Sequence, residues 1–308
     1  MNYLKINLLI FIAFSFYIGA EEPSYEEEEK NQKSKSDIHG LFDFTFKNDY
    51  ITPRGLLVSD TGLTMQILAG LSLDVYKNPK GNISRVSVDV GVWNDLWTAQ
   101  HNPTAGSWNE LDWFLGFTIA FKKQWKFQAQ FIEFLSPPGN FKPENNAELT
   151  LFYDDSEWKL PLTLYPYVKL FWAISGDSTV VVGRRGNTYY IELGLTPTVD
   201  LSKSCFPVVF TFPSWISIGP ANFWNGGKLA LKHSKSHFGV FSTGFKGSIP
   251  LSFIPKTLGN WHLDIGLQYY YLINDNLLQA QLFTLHIPNI RSAKRNIGVG
   301  YLNLGFLF

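Results

Sequence analysis

From Leu41 to the last residue, Phe308, apolar and polar side chains alternate along the chain with a period of two residues. In LFDFTFK (41–47), three phenylalanines share one face, while Asp43, Thr45 and Lys47 share the other. The closing stretch IGVGYLNLGFLF (297–308) repeats this pattern. Successive side chains of a strand point to opposite faces of the sheet, so the alternation predicts strands with one apolar and one polar face.

About twelve segments carry this alternation, and several hold it for roughly 9 to 13 residues, where five or six are usual in soluble proteins. Besides the two stretches above they are GLTMQILAGLSLDVY, RVSVDVGVW, LDWFLGFTIAF, WKFQAQF, ELTLFYD, YPYVKLFWAI, TYYIELGLT, VVFTFPSWI, FGVFSTGFKG and WHLDIGLQYYYL. The exact boundaries are open, above all over 198–260. Segments of this length match a tilted bilayer crossing.

Two architectures produce such a list of strands. A soluble sandwich or barrel turns the apolar face into its core, whereas a transmembrane barrel turns it to lipid and keeps a polar interior. Here the minority face carries Gly, Ser, Thr, Gln, Asn and single charges, as a hydrated interior requires, and only 17% of all residues are charged. The fold class predicted is all-β, a transmembrane antiparallel up-and-down β-barrel of about 12 strands.

Aromatic residues near the predicted strand ends also favour a membrane, because tryptophan and tyrosine concentrate at the two interfaces of a bilayer. We therefore expect aromatic girdles that include Trp93, Trp97, Trp113, Trp125, Trp172, Trp215 and Trp261. The connections alternate in length as well, which is typical of short periplasmic turns and long external loops. The shorter ones cover 77–82, 122–124 and 154–160, and the longer ones 94–110, 136–147, 175–187, 219–236 and 287–296.

The N-terminal region has a different character from the rest of the chain. Residues 1–20 place Lys5 before an apolar run over 8–18 and end on Ala20, the layout of a secretory signal peptide. Residues 21–37 form an acidic block followed by a basic one and predict a disordered charged linker. We expect residues 38–308 to form a barrel in the outer membrane of a Gram-negative-type bacterium, with outer-membrane lipid as its surroundings.

In a closed barrel the last strand pairs with the first, so an apolar alternating segment at the chain end has a structural purpose. Leu302, Leu304, Phe306 and Phe308 would then face lipid. A terminal aromatic on such a strand resembles the signal that barrel assembly machinery recognises in its clients. We expect Phe308 and Phe306 to form that assembly signal.

The stretch FTFKNDYITPRGLLVSDTGLTMQ (44–66) resembles the opening of the TorF-like porin family of bacterial outer-membrane β-barrels. The motif positions are Asn48, Asp49, Tyr50, Arg54 and Gly55, with three residues between the tyrosine and the arginine. GVWND (91–95) and NELDWFLGFTIAF (109–121) resemble further strands of that family. The resemblance implies a channel for small solutes and assigns Asp49, Tyr50, Arg54 and Gly55 to a motif at the loop rim.

Charged residues on the polar faces are candidates for lining a pore. They are Arg85, Asp89, Asp112, Lys126, Glu148, Lys169, Glu192, Lys246 and Asp264. Their signs are mixed, so we expect a narrow passive channel for small hydrophilic solutes with weak charge selectivity. A pair between Asp49 and Arg54 could pin the turn of the first external loop, either as loop ordering alone or with a role in transport.

Other functions have less support. A formal net charge of zero gives no indication of nucleic-acid binding, and the single cysteine, Cys205, excludes an intrachain disulfide or a CxxC site. No sequence pattern indicates a cofactor, a metal site or a hydrolase nucleophile, and His262 is the one histidine within a clear strand. The alternatives to a channel are a non-conducting structural or surface-interaction barrel and, with less support, an outer-membrane lipid-modifying enzyme; no enzyme activity is expected.

Overall fold

The computed structural model describes residues 37–99, 107–158, 162–175, 187–202, 204, 207–221, 223–224 and 234–308. It also describes a two-residue pairing of Ile6–Asn7 with Glu22–Pro23. Almost all of the predicted signal peptide and of the predicted linker therefore lies outside the described residues, as does Cys205.

The described remainder of the chain is built almost entirely of strands. They are β1 (Ile38–Lys47), β2 (Tyr50–Ile51), β3 (Leu57–Ser59), β4 (Thr64–Lys77), β5 (Ile83–Trp97), β6 (Trp108–Phe121), β7 (Trp125–Leu135), β8 (Glu144–Tyr153), β9 (Tyr167–Ser175), β10 (Thr188–Leu195), β11 (Thr198–Asp200), β12 (Val209–Thr211), β13 (Ser214–Ile218), β14 (Phe238–Pro250), β15 (Asn260–Leu272) and β16 (Asn296–Leu307). One α-helix, α1 (Asp275–Thr284), and short 3-10 turns at Ser156–Trp158, Lys256–Leu258 and Ile290–Ser292 complete the described elements.

The sheet closes on itself. Each wall strand pairs antiparallel with its neighbour in the ring, and β16 returns to β1 with Leu302 opposite Phe46 and Asn303 opposite Thr45. The ring contains β1, β4 to β10 and β13 to β16, twelve strands in all. The predicted fold class and strand number are confirmed, and closure leaves no free sheet edge in the wall.

Two wall strands are interrupted at neighbouring positions by proline, which has no backbone N–H to give to a sheet. Pro197 separates β10 from β11, and Pro213 separates β12 from β13. The wall stays continuous because the carbonyl of Pro197 accepts from Phe212 N at 2.8 Å, and that of Pro213 accepts from Gly244 N at 2.8 Å. The break at Pro213 lies within the region 198–260, whose boundaries the sequence left open, and the break at Pro197 directly precedes it.

The polarity of the barrel is inverted relative to a soluble protein. Along β4, the outward Leu71, Leu73 and Val75 are 47%, 46% and 55% exposed, while the intervening Ser72 and Asp74 are buried inside. The same order holds in β16, where Leu302 and Leu304 face outward and Asn303 is buried. An apolar exterior around a polar interior is the pattern of a barrel that crosses a membrane.

The predicted aromatic girdles are correct only in part. Trp172 lies on the outer surface and is half-exposed, but Trp93 and Trp215 are buried inside the barrel. Trp93 shares its strand face with the inward Asp89 and Asp95, so the alternation of β5 itself places it inside.

Connections of different length lie at opposite ends of the barrel. The end that carries the start of β1 and the end of β16, here called the turn end, has the connections 78–82, 122–124, 154–166, 201–208 and 251–259. At the opposite end, the loop end, the strands are joined by 48–63, 98–107, 136–143, 176–187, 219–237 and 273–295. None of the described helices is long and apolar enough to cross a membrane.

Candidate functional site

The first loop-end connection folds into the interior of the barrel. Residues 48–63, here called the plug hairpin, contain the paired strands β2 and β3, and the side chains of Tyr50, Ile51 and Leu57 are buried. Thr52 N donates to Leu56 O at 2.9 Å, and Gly55 occupies the turn with a φ of 91°. This left-handed backbone favours glycine, so the turn depends on the residue type at position 55.

Two other loop-end segments hold the plug hairpin in place. Thr284, at the end of α1, donates from Oγ1 to Leu57 O at 2.5 Å, and Lys294 Nζ lies 2.7 Å from Asp60 Oδ2. From the connection 219–237, Trp224 Nε1 donates to Arg54 O at 3.2 Å. Among the described residues, these polar contacts attach the plug hairpin to other loop-end segments, in addition to its apolar packing.

Arg54 projects from the plug hairpin into the barrel interior and is only 3% exposed. Its guanidinium carbon lies 4.8 Å from the ring centroid of Phe134 and 5.0 Å from that of Phe171. These two rings are nearly parallel, with 12° between their planes and 6.4 Å between their centroids. A guanidinium over two aromatic faces is stabilised by cation–π interaction, which strengthens where water is excluded.

Carboxyl groups complete the surroundings of Arg54. The guanidinium interacts electrostatically with the side chains of Glu110, Asp112 and Glu148. We call the set Phe134, Phe171, Glu110, Asp112 and Glu148 the Arg54 cage.

The acidic side of the cage extends toward the loop end. Tyr50 donates from its hydroxyl to Glu110 Oε2 at 2.8 Å, and its ring lies 5.7 Å from that of Trp93. Asp95 interacts electrostatically with Glu110 and Asp112, and it accepts from Gln66 Nε2 at 3.2 Å. Among the described residues, no donor reaches Asp112 Oδ1. The cage thus holds one arginine among several buried carboxyl groups.

The structure gives Asp49 and Arg54, which were predicted to pair, different sets of neighbours. Asp49 lies near Lys294 and Asp60, outside the wall strands. Burial raises the pKa of the Asp49 carboxyl above its ordinary value, and the Lys294 ammonium opposes this rise. Because the plug hairpin folds inward, Arg54 meets acidic groups of the wall, which the sequence spacing did not indicate. The four residues assigned to the rim motif therefore separate, with Tyr50, Arg54 and Gly55 inside.

The nine charged residues predicted to line a pore lie on the inner face of the barrel, and most of them have partners there. Lys169 Nζ lies 3.3 Å from Glu192 Oε1, and Lys246 Nζ lies 3.5 Å from Asp264 Oδ2. Arg85 pairs with Asp74. These pairs join adjacent wall strands, so each contributes to the wall as well as to the interior charge.

The remaining candidates are held in other ways. Asp89 accepts from the hydroxyls of Ser72 at 2.6 Å, Ser87 at 3.1 Å and Thr118 at 2.6 Å. Lys126 Nζ lies 4.8 Å from the ring centroid of Phe152, and Asp112 and Glu148 belong to the Arg54 cage. Lys169, Asn146 and Ser242, on three different strands, are each 0% exposed, so side chains pack closely around the interior at these positions.

A second polar cluster lies near the turn end, where Asn303 Nδ2 donates to Asp43 Oδ1 at 2.9 Å and to Asp264 Oδ2 at 3.3 Å. His262 Nε2 lies 3.7 Å from Asp264 Oδ2. No group of three or more His, Cys, Asp or Glu side chains in the described part of the chain is arranged to hold a metal ion.

Several residues of the candidate site were not predicted from the sequence. Asp95 lies on the predicted polar face of its strand and could have been found from the alternation alone. Phe134 and Phe171 are apolar residues on inward faces, and Phe223 and Trp224 belong to a loop. The alternation places Phe134 and Phe171 inside but does not distinguish them from other inward residues. No local pattern places Phe223 and Trp224 inside the barrel, because their burial depends on the folding of the loop.

The residues assigned to the assembly signal lie at the turn end of β16. Phe308 is 55% exposed, and its ring lies 5.5 Å from that of Phe306, which in turn lies 4.8 Å from Trp261. Gly40 and Phe308 exchange two backbone hydrogen bonds of 3.0 Å, so the chain terminus is paired with the first strand.

No protein-family model matches the chain, and no curated protein matches it in sequence. Among solved structures, it is similar to an outer-membrane channel from Pseudomonas putida F1, at 9% identity and a TM-score of 0.48, over 92% of this chain and 100% of that one. It is also similar to the translocator domain of the autotransporter NalP from Neisseria meningitidis, at 11% identity and a TM-score of 0.39, over 90% of each chain. A porin structure matches at 8% identity and a TM-score of 0.32, over 88% of this chain and 99% of that one.

Proposed function

We propose that the protein is a narrow passive channel of the bacterial outer membrane for small hydrophilic solutes, and that the plug hairpin closes it in this structure. The observation that carries the proposal is that a loop, the plug hairpin, folds into the interior of the barrel. The wall strands turn a polar face inward, while the plug hairpin is a loop that contacts other loop-end segments through Trp224, Thr284 and Lys294. A seal of this kind can move without breaking the ring of strands.

The surroundings proposed for the barrel follow from its surface. The outward side chains form an apolar exterior, and a closed ring is one of the few ways to satisfy backbone groups in lipid. By the usual arrangement of such barrels, the turn end faces the periplasm and the loop end faces outward. The motif residues shared with the TorF-like porins lie in the plug hairpin, which is compatible with membership in that family.

The inward charges change the expected selectivity. Near the turn end, cations and carboxylates pair. Near the loop end, the carboxyl groups of Glu110, Asp112 and Glu148 surround Arg54, and Asp95 lies beside Glu110. Movement of Arg54 with the plug hairpin would leave these groups facing the conduit, so we propose a preference for cations in place of weak selectivity.

Liposome swelling tests the channel. Lys47 and Thr64 are directly paired, so residues 50–60 can be replaced by a Gly-Ser-Gly linker without stretching the wall. This short-loop variant should admit sugars of graded size faster than the wild type does. Retention of heat-modifiable migration on gels shows that the variant is folded. A folded short-loop variant that admits no sugar of any size contradicts the channel.

A second candidate is a non-conducting barrel that serves as a structural or surface-interaction element. The interior pairs favour it, because Lys169 and Glu192 brace neighbouring strands and fill the barrel. The same swelling experiment separates the two functions, since removal of the plug hairpin opens a conduit only where the wall interior is itself passable.

A further inference from the structure

We propose that the Arg54 cage is a recognition site for small organic cations with a planar guanidinium group, and that Arg54 occupies it as a built-in stand-in for the solute. Organic cations of this class would then be the preferred solutes. The solute class rests on the proposed channel function, whereas the binding site itself can be tested without conduction.

The shape of the cage is the first reason. The nearly parallel rings of Phe134 and Phe171 both present their faces to one guanidinium, at 4.8 and 5.0 Å. A planar, weakly hydrated cation stacks on such faces, whereas an ammonium keeps its water more strongly. The two ring faces therefore favour a guanidinium over an ammonium.

The carboxyl groups are the second reason. Glu110, Asp112 and Glu148 all act on Arg54, and Asp112 Oδ1 is a buried oxygen that no donor reaches among the described residues. A buried carboxylate oxygen without a partner is costly, and a guanidinium has five N–H donors in a fixed fork. A guanidinium solute could reach both this oxygen and the neighbouring carboxylate.

The position of the occupant on a loop is the third reason. Arg54 is on the plug hairpin, whereas the five residues of the Arg54 cage are on the wall strands β6, β7, β8 and β9. When the plug hairpin leaves, the cage stays in the wall and loses its cation. A solute that resembles the arginine side chain can then take its place and favour the open state, because it binds that state better than the closed one.

Binding is tested on the full chain in detergent micelles with ethylguanidinium and its neutral counterpart, ethylurea. In Arg54→Ala, millimolar ethylguanidinium should raise the unfolding temperature and bind roughly tenfold tighter than ethylammonium, while ethylurea has no effect. The wild type, whose cage is occupied, should respond much less. The short-loop variant also lacks Arg54 and provides the same measurement if Arg54→Ala fails to fold.

Matched substitutions locate the site. Asp112→Asn and Phe171→Leu, each introduced into Arg54→Ala, should weaken the binding of ethylguanidinium. Phe131→Leu is the control, because Phe131 is also on β7 but faces outward against Trp113, with 5.4 Å between the ring centroids. Equal binding of ethylguanidinium and ethylurea, or equal losses in Phe131→Leu and Phe171→Leu, would overturn the recognition site.

Transport tests the solute class. In proteoliposomes with the short-loop variant, L-arginine should enter roughly tenfold faster than L-citrulline, which has the same length but a neutral head group. Equal rates for the two amino acids would refute the solute class while leaving the channel intact. If neither they nor any sugar enters, the channel itself fails, and the binding measurement alone decides on the cage.

Discussion

Lys169 is an ammonium inside the barrel with no measurable exposure to solvent. Glu192 lies directly opposite it on β10, and Tyr167 donates from its hydroxyl to Glu192 Oε1 at 2.7 Å. A buried ion pair contributes little net stability relative to an apolar pair, but removal of one partner leaves an uncompensated charge. The pair is therefore better understood as fixing the contact between β9 and β10.

Lys169→Met should destabilise the barrel by about 3–5 kcal/mol, because Glu192 and the nearby Glu148 lose their cation. Urea unfolding in detergent micelles measures the change. Lys169→Met/Glu192→Gln should recover part of the loss. Lys80→Met, at an exposed position of the turn 78–82, is the control and should change stability by less than about 0.5 kcal/mol. An equal, small effect at both lysines would show that the buried pair is unimportant.

At the scale of elements, the wall and the plug hairpin differ in how far the sequence predicts them. The alternation of β4 and β5 placed the side chains on the correct faces, because a strand with one face in lipid admits a single register. In β16 it did so for Leu302, Asn303 and Leu304, whereas the apolar Ile297 and Val299 are buried inside. The position of a loop depends on contacts distant in sequence, such as Trp224 with Arg54. The inward fold of the plug hairpin and helix α1 therefore had no signal in the alternation.

Gly55 is the point where the plug hairpin packs against β14 and α1. A Cβ at this position would overlap Val240 Cγ2 and lie 2.7 Å from Leu277 Cδ1. Gly55→Ala should therefore unseat the plug hairpin and increase solute leakage in the swelling assay. Gly139→Ala is matched, because Gly139 also has a positive φ, of 79°, but has nothing within 4 Å of the added Cβ. Leakage that rises equally in both variants would refute the clash as the cause.

The contact between Asp60 and Lys294 is a latch near the loop-end surface, since the Lys294 side chain is 47% exposed. Such a pair contributes about 0.2–1 kcal/mol, so Asp60→Asn should raise the open fraction up to about fivefold. Conductance of planar bilayers at low and high salt measures this. The difference between wild type and variant should shrink in high salt, because mobile ions screen an exposed pair. A difference that does not depend on salt would exclude an electrostatic latch.

At the scale of the whole molecule, closure joins residues from opposite ends of the chain. Thr45 Oγ1 donates to Asn303 Oδ1 at 2.9 Å between β1 and β16, and Asn303 also reaches Asp43. The sequence predicted the pairing of first and last strands, because an unpaired edge in lipid would leave backbone groups unsatisfied. It did not predict the polar side-chain contacts that fix the register between β1 and β16.

Phe308 is the last residue of the pairing between β1 and β16, and its role in assembly can be separated from its role in stability. Its backbone pairs with Gly40, and its half-exposed ring lies over that glycine, where an added Cβ would overlap it.

If barrel assembly machinery recognises the terminal aromatic, deletion of Phe308 should reduce the folded protein in the outer-membrane fraction several-fold while the secreted amount stays constant. Phe308→Tyr keeps the aromatic ring and should restore assembly, whereas Phe308→Ser, which keeps the backbone hydrogen bonds, should not. Refolding of the purified chains into detergent should succeed for all three variants, because the pairing between β1 and β16 retains its remaining backbone bonds. Normal membrane assembly of the deletion variant would exclude Phe308 as the recognised signal.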